Sequence, residues 1–156
     1  MTEDFERVPR VIETHRGDFL GYAEELKTKR LRTLLNEAGI ACSLNTSGKG
    51  ADILGKDFVI EAKNDLLSSS VLQKLKGQVD GYAHRCQQIG VVIYGNASQT
   101  FLDELKSFTA GYWPTDIRVW VVGRVVGGTS GNGRLPPSND TTEWLFGNAA
   151  SKGILS

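Results

Sequence analysis

The stretch GADILGKDFVIEAK contains the residues of this chain whose types and spacing are best suited to chemistry. Asp52 is followed nine residues later by Glu61, and Lys63 comes two residues after that. Two carboxylates without a nearby thiolate or imidazole form an all-oxygen site, which suits Mg²⁺ or Mn²⁺ better than zinc. Such an ion activates water for attack on a phosphodiester, and Lys63 would orient or help to deprotonate that water. Hydrolysis of a nucleic-acid backbone is the chemistry that these residues indicate.

A β-hairpin over residues 51–63 would bring these side chains to one face of a sheet. ADIL and FVIEAK have strand composition, and the Gly-Lys pair between them predicts a two-residue turn. In that register Asp52 faces Val59. Because side chains alternate along a strand, Glu61 and Lys63 share the face of Asp52, and the two carboxylates are diagonal neighbours at about 7–8 Å. For these three residues alone, a solvated hairpin surface is an equally good interpretation.

The elements that must hold this hairpin follow from hydrophobic periodicity. Apolar residues at helical spacing predict helices over residues 19–38 and 71–86, and a third helix in SQTFLDELKSFTAGYW. Apolar and β-branched runs predict strands in IACSLN, IGVVIYG and DIRVWVVGRVV. The predicted order is α-β-β-β-α-β-α-β, an α/β fold with a mixed central sheet flanked by helices. We expect one domain over residues 1–156, with a mobile Gly/Pro/Ser/Asn-rich loop at 127–140.

A further pair of residues adds to the hairpin. Gln78 and Tyr82 stand four residues apart on the second predicted helix, so their side chains lie on one side of it. Together with the hairpin residues, this pair resembles the motifs of the PD-(D/E)XK nuclease superfamily, in its RecB-like branch. The resemblance covers residues 19–95, although Ala51 stands where proline is common. The matching motifs are Asp52, Glu61-Ala62-Lys63 and Gln78-x-x-x-Tyr82.

This resemblance implies a restriction-endonuclease-like core and a Mg²⁺-dependent deoxyribonuclease. Asp52 and Glu61 would bind the metal together with the backbone carbonyl of Ala62. Gln78 would support the catalytic lysine or the substrate phosphate, and Tyr82 would contact the nucleic acid. DNA is the expected partner, and RNA remains an alternative.

Many members of this superfamily also take a metal ligand from a glutamate of the first helix. At 100° per residue, Glu24 lies on the apolar stripe with Leu31 and Leu34, whereas Glu25 points well away from it. A carboxylate that faces a core needs a partner, and a metal or Lys63 would serve. Glu24 is thus a further candidate catalytic residue, and the alternative is a carboxylate at the edge of the stripe that reaches solvent.

Basic residues near these motifs are candidates for phosphate contacts. Lys74, Gln78 and Arg85 fall within a narrow angular band of the second predicted helix, so two positive charges flank the glutamine. Lys49, in the loop before Asp52, would add another contact. An ordinary solvated helix face explains the band equally well.

Composition excludes several other classes of protein. The 18 Lys and Arg residues balance the 18 Asp and Glu residues, so any surface for a polyanion must be local. No stretch approaches the roughly 20 apolar residues of a membrane span. The N-terminal MTEDFERVPRVIE lacks the apolar segment of a secretory signal, which predicts a cytoplasmic protein. Cys42 and Cys86 are too few for a cysteine-only zinc site or an iron–sulfur cluster.

Two other interpretations stay open at this stage. The chain could be a non-catalytic nucleic-acid-binding or interaction module on the same fold, or a small α/β domain whose motifs match by coincidence. A homo-oligomer formed through the C-terminal strand and the WLF tail is compatible with each of them.

Overall fold

The computed structural model of the chain describes residues 3–21 and 23–127, where a mixed five-stranded sheet lies between two layers of helices. The helices are α1 (Glu3–Thr14), α2 (Glu24–Glu37), α3 (Ser69–Ala83) and α4 (Gln99–Ala110), with a short 3₁₀ helix at Arg16–Phe19. The strands are β1 (Cys42–Leu44), β2 (Ile53–Gly55), β3 (Val59–Lys63), β4 (Gln88–Ile93), β5 (Ala97–Ser98), β6 (Asp116–Val121) and β7 (Val125–Val126).

The strands of the sheet follow the order β1-β2-β3-β4-β6. β1, β2 and β3 form an antiparallel meander, and β3, β4 and β6 are parallel. Parallel neighbours need crossover connections, which α3 and α4 supply. β5 and β7 form a separate two-stranded pair. The predicted α/β class with a mixed sheet flanked by helices is therefore confirmed, and the main predicted helices and strands follow the predicted order from α2 to β6.

Apolar side chains on the two faces of the sheet form two separate cores. One core lies under α1 and α2, and the other lies under α3 and α4. On β3, Ile60 and Ala62 belong to the first core and Val59 to the second. Because side chains alternate along a strand, Glu61 faces the second core and points toward α3.

The N-terminal part of the chain differs from the sequence prediction. α1 was not predicted, although Phe5, Val8 and Ile12 recur at helical spacing and are fully buried. Pro9 stands inside this helix, and an interior proline removes a backbone hydrogen bond, which weighs against a helix in the sequence. The helix predicted over residues 19–38 begins only at Glu24.

The hairpin turn also differs from the prediction. The turn residues are Lys56 and Asp57, one position later than predicted, because the N–H of Gly55 donates to the carbonyl oxygen of Phe58 at 2.8 Å. Phe58 is buried, and its ring lies so close to Gly55 that a Cβ there would come within 2.3 Å of it. Burial of this ring selects the register. Strand pairing moves by two residues, so Ile53 faces Ile60 and the two faces keep their predicted members.

Two further expectations concern other parts of the chain. The loop predicted at 127–140 and the WLF tail lie outside the described residues, apart from Gly127 at the start of that loop. In the described part of the chain, no helix is long and apolar enough to cross a membrane.

A buried ion-pair network holds α1 against the β6 edge of the sheet. The Arg118 side chain is fully buried on β6 and stacks over the Phe5 ring, with 5.1 Å between the guanidinium carbon and the ring centroid. Its guanidinium donates to both carboxylate oxygens of Glu6 at 3.2 and 2.8 Å, and to Asp116 at 3.1 and 2.9 Å. Removal of one carboxylate leaves a buried charge with less compensation.

We predict that Glu6→Ala lowers the free energy of unfolding by about 1–3 kcal/mol, since it removes charge-assisted hydrogen bonds from Arg118. Urea denaturation followed by circular dichroism measures the change. Glu25→Ala is the matched control, because Glu25 is exposed and its partner is Lys29 at 3.5 Å, and we expect a change within about 0.5 kcal/mol. Equal effects of the two substitutions would contradict the stabilising role of the network.

Candidate active site

Asp52 and Glu61 come together at the open end of the β2–β3 hairpin. The regular pairing of β2 with β3 ends at Ile53 and Ile60, and Asp52, one residue before β2, interrupts the ladder while its carboxylate interacts with that of Glu61. The N–H of Asp52 donates to the carbonyl oxygen of Ile60 at 3.0 Å, and Asp52 Oδ2 accepts the N–H of Ala62 at 2.8 Å. The carboxylate of Asp52 thereby takes the place of a backbone partner at the end of β2.

Glu61 is almost completely buried, and each of its carboxylate oxygens has a partner. The hydroxyl of Tyr82 on α3 donates to Oε1 at 2.5 Å, and Lys63 Nζ lies 3.3 Å from Oε2. Tyr82 itself is only 4% exposed. Its predicted contact with nucleic acid is therefore corrected: the residue is buried and its hydroxyl holds Glu61.

The burial of Glu61 has a strong electrostatic consequence. Removal from water raises the pKa of the carboxyl group, and the neighbouring Asp52 charge raises it further. The Tyr82 hydroxyl and the Lys63 ammonium oppose this effect by stabilising the anion. The net result is a pKa of about 7 for Glu61. The site therefore holds its second negative charge only with difficulty near neutral pH.

Gln78 lies one turn before Tyr82 on the same side of α3. Since β3 and β4 are parallel, α3 runs back along the sheet, and Gln78 stands nearer than Tyr82 to the end of β3 where Lys63 lies. Its Oε1 atom is buried and accepts no hydrogen bond from residues 3–21 and 23–127. A buried amide oxygen without a donor is costly, so Gln78 is available to a lysine, a water molecule or a ligand at this end.

Glu24 reaches the same end of β3 from the other side of the sheet. It is half-buried, as its place on the apolar stripe predicted, and Glu25 is exposed. The Oε2 atom of Glu24 accepts the N–H of Asn64, the residue after Lys63, at 2.8 Å. Glu24 thereby holds the backbone just beyond the lysine.

Sequence reasoning missed Lys27 and Asn64, which contact each other beside Glu24. Lys27 is only 8% exposed, and its Nζ donates to Asn64 Oδ1 at 3.2 Å. A signal was present, since Lys27 stands three residues after Glu24 and four before Leu31, on the same apolar stripe. A charged residue on such a stripe indicates a buried charge with a specific environment.

The predicted basic ridge does not exist as one line of side chains. Lys74 is exposed on the first half of α3, near the end of β3. Arg85 lies beyond the last residue of α3, and it lines a cavity of about 770 Å³ with residues 55–59 and Gln88, where β3 and β4 begin. Lys49 is exposed in the loop that leads into β2, at the Lys63 end. Lys49 and Lys74 are thus near the carboxylates, and Arg85 is at the opposite end of the sheet.

Oxygen atoms dominate the donor set at this site. Ile60 turns its carbonyl toward β2, and Ala62, two residues later, turns its carbonyl to the same side of the strand. The Ala62 carbonyl therefore faces the side of β3 on which Asp52 lies. Among the residues that the structure describes, no group of three or more His, Cys, Asp and Glu side chains comes together as a metal site.

Comparisons of the chain with protein-family models, with curated proteins and with solved structures find no match. The resemblance to the PD-(D/E)XK nucleases therefore rests on the sequence motifs.

We predict that metal-free Glu61→Gln is more stable than the wild type at pH 8, by up to about 3 kcal/mol, and that the two are similar near pH 4.5. The folded pKa of Glu61, about 7, lies above its ordinary value of 4.5, so the protonated carboxyl favours the folded state. This contribution is fully present at low pH and is lost as the pH rises through 7. Urea unfolding in EDTA at a series of pH values measures the difference. A difference that does not change with pH would contradict the raised pKa.

Proposed function

We propose that this chain is a Mg²⁺-dependent nuclease with a restriction-endonuclease-like core, similar to the RecB-like PD-(D/E)XK enzymes. The substrate class is DNA, with RNA as an alternative to be tested. A cytoplasmic location belongs to the same proposal. The observation that carries it is the close approach of the Asp52 carboxylate to the buried carboxylate of Glu61, beside Lys63.

Repulsion between these two carboxylates supports a cation site. With a pKa of about 7, the Glu61 carboxyl is about half protonated in neutral solution. A structural ion pair needs only one carboxylate beside Lys63, and the second carboxylate, which accepts the N–H of Ala62, adds a repulsion that raises the pKa of Glu61 further. The arrangement is therefore more useful for binding a cation than for stability.

The residues present fit Mg²⁺. Asp52 and Glu61 would hold the ion together with the Ala62 carbonyl, and carboxylate oxygens that accept one hydrogen bond keep a further lone pair for a cation. The absence of imidazole and thiolate ligands favours Mg²⁺ or Mn²⁺ over zinc. When bound, such an ion supplies Lewis-acid activation of water and of the phosphodiester.

Lys63 is suited to act on the attacking water. Its side chain is 14% exposed, and Nζ is held 3.3 Å from Glu61, so the ammonium is fixed in place and still reaches the surface. From there it can donate a hydrogen bond to a water molecule beside the carboxylates. The buried Oε1 atom of Gln78 would accept a hydrogen bond from the same lysine or from that water.

Basic side chains around this end of the sheet supply contacts for a nucleic-acid backbone. Lys49 and Lys74 are exposed on either side of the carboxylates, one in the β1–β2 loop and one on α3. The loop that carries Lys49 is braced by Asn45, whose side-chain amide donates to the carbonyl oxygens of Lys49 at 2.5 Å and Ala51 at 2.8 Å. A charge presented on a braced loop can contact a phosphate at little entropic cost.

The alternative is a module that binds nucleic acid without cleaving it. Lys49 and Lys74 would serve that function equally well. The buried carboxylate pair favours catalysis, because a protein that only binds a polyanion gains nothing from two negative charges next to its basic residues.

We predict that Lys63→Ala lowers Mg²⁺-dependent cleavage by about 10²–10⁴-fold, because a positioned proton-transfer group contributes that much to a rate. Linear, circular and branched DNA and single-stranded RNA are incubated with the protein and with Mg²⁺, Mn²⁺ or EDTA, and the products are separated on gels. Lys56→Ala is the matched control, since Lys56 is exposed in the hairpin turn at the other end of β3, and we expect full activity.

If Lys63→Ala retained full Mg²⁺-dependent cleavage, a mechanism in which Lys63 acts on the attacking water would be ruled out. If the wild-type protein binds nucleic acid but cleaves none of these substrates with either metal, the nuclease proposal is wrong and the chain is a binding module.

We predict that Tyr82→Phe raises the Mg²⁺ concentration needed for half-maximal cleavage by about 10–100-fold, with activity recovering at saturating metal. The hydroxyl of Tyr82 orients Glu61 and favours its anionic form, so its loss weakens metal binding first. Tyr94→Phe is the matched control, because that hydroxyl is also buried but lies 3.0 Å from Thr28 Oγ1. If both variants showed the wild-type dependence on Mg²⁺, Tyr82 would have no role in positioning Glu61 for metal.

A further inference from the structure

Lys27 is a buried cation that the proposed chemistry does not yet use. It lies on the second turn of α2 and is 8% exposed. Its Nζ donates to Asn64 Oδ1 at 3.2 Å and stands 5.6 Å from the centre of the Tyr94 ring. Neither partner carries a negative charge, since burial raises the pKa of the Tyr94 hydroxyl well above its ordinary value.

The positive charge of Lys27 has no ion-pair partner in the part of the chain that the structure describes. Glu24, one turn earlier on α2, directs Oε2 to the N–H of Asn64. An ammonium group is strongly hydrated and has three hydrogen donors, of which Asn64 takes one. Contact with an aromatic ring offsets only part of the cost of removing such a group from water. An anion beside Lys27 would compensate the rest.

Asn64 connects this cation to the candidate active site. It directly follows Lys63, and α2 holds it twice, through Glu24 at its backbone and through Lys27 at its side chain. The Lys27 ammonium can only donate hydrogen bonds, so the Asn64 side chain must turn its Oδ1 atom toward Lys27. The Nδ2 group of Asn64 therefore points away from Lys27. This Nδ2 group donates no hydrogen bond within residues 3–21 and 23–127.

We propose that Lys27 and Asn64 form a binding site for an internal phosphodiester of the nucleic acid, next to the phosphate that is cleaved. A phosphodiester has one negative charge and two free oxygens, which match one ammonium and one amide donor. The site lies one residue from Lys63, on the side of the sheet opposite Lys74. This inference rests on the proposed function, because a nucleic acid must lie at the carboxylates for a neighbouring phosphate to reach Lys27.

The first test is binding. The parent protein for this test is the Lys63→Ala variant, which leaves the substrate intact. A labelled oligonucleotide substrate is titrated with this parent protein and with a variant of it that also carries Lys27→Met, called Lys27→Met below. We expect Lys27→Met to weaken affinity by about 10–100-fold, the range for hydrogen bonds to a charged group, and to lower the slope of log affinity against log salt by about 0.7–0.9. Lys29→Met, an exposed lysine two residues away that pairs with Glu25, is the matched control with little expected change.

A second test locates the phosphate. Single neutral methylphosphonates are placed in turn at each position around the cleavage site. At one position next to that site, the neutral group should weaken binding to the parent protein by as much as Lys27→Met does, and should not weaken binding to Lys27→Met any further. Additive losses at every position would overturn the proposed contact.

The outcomes separate this inference from the proposed function. If the parent protein binds and Lys27→Met binds equally well with the same salt dependence, the phosphate site is wrong and the nuclease proposal stands. If the wild type neither binds nor cleaves nucleic acid, both are wrong. Methionine retains the bulk of the lysine, and thermal denaturation should give an unchanged or higher midpoint. If Lys27→Met does not fold, Lys27→Gln must show the same loss of salt slope.

Discussion

The carboxylates of Asp52 and Glu61 lie close together at the open end of one hairpin, where Glu61 is buried and their charges repel each other. Neighbouring polar groups bind both carboxylates. The N–H of Ala62 binds one carboxylate, and the hydroxyl of Tyr82 and the ammonium of Lys63 bind the other. Burial of Glu61, and to a lesser extent the Asp52 charge, raise the pKa of Glu61 in spite of these contacts. Under the proposed function, this unfavourable charge is kept for the binding of a cation at a cost in stability.

The sheet makes this arrangement rigid. β3 lies in the interior of the sheet, with β2 on one side and β4 on the other, so its backbone is fixed by both neighbours. The return of α3 along the sheet brings Gln78 and Tyr82 to the face of Glu61. On the other face, α2 approaches the end of β3, where Glu24 and Lys27 hold Asn64. Side chains carried by regular elements hold their geometry more closely than side chains on loops do.

Much of this site could be predicted because it depends on local periods. Side chains in strands repeat every two residues, so the two-residue shift in hairpin register kept the predicted faces of β2 and β3, and Glu61 and Lys63 form an ion pair on one face of β3. The helical repeat likewise placed Gln78 beside Tyr82. It also distinguished half-buried Glu24 from exposed Glu25.

The sequence by itself determined the α/β class, the order of the main helices and strands from α2 to β6, and the placement of Glu61 and Lys63 on one face of β3. Only the tertiary structure decided that Phe58 sets the register, that Tyr82 binds Glu61 and that Arg85 lies at the far end of the sheet. It alone showed Lys27 buried against Asn64. The reason is physical: periodicity along one element depends on neighbouring residues, whereas hydrogen-bond partners and burial depend on elements far apart in the chain.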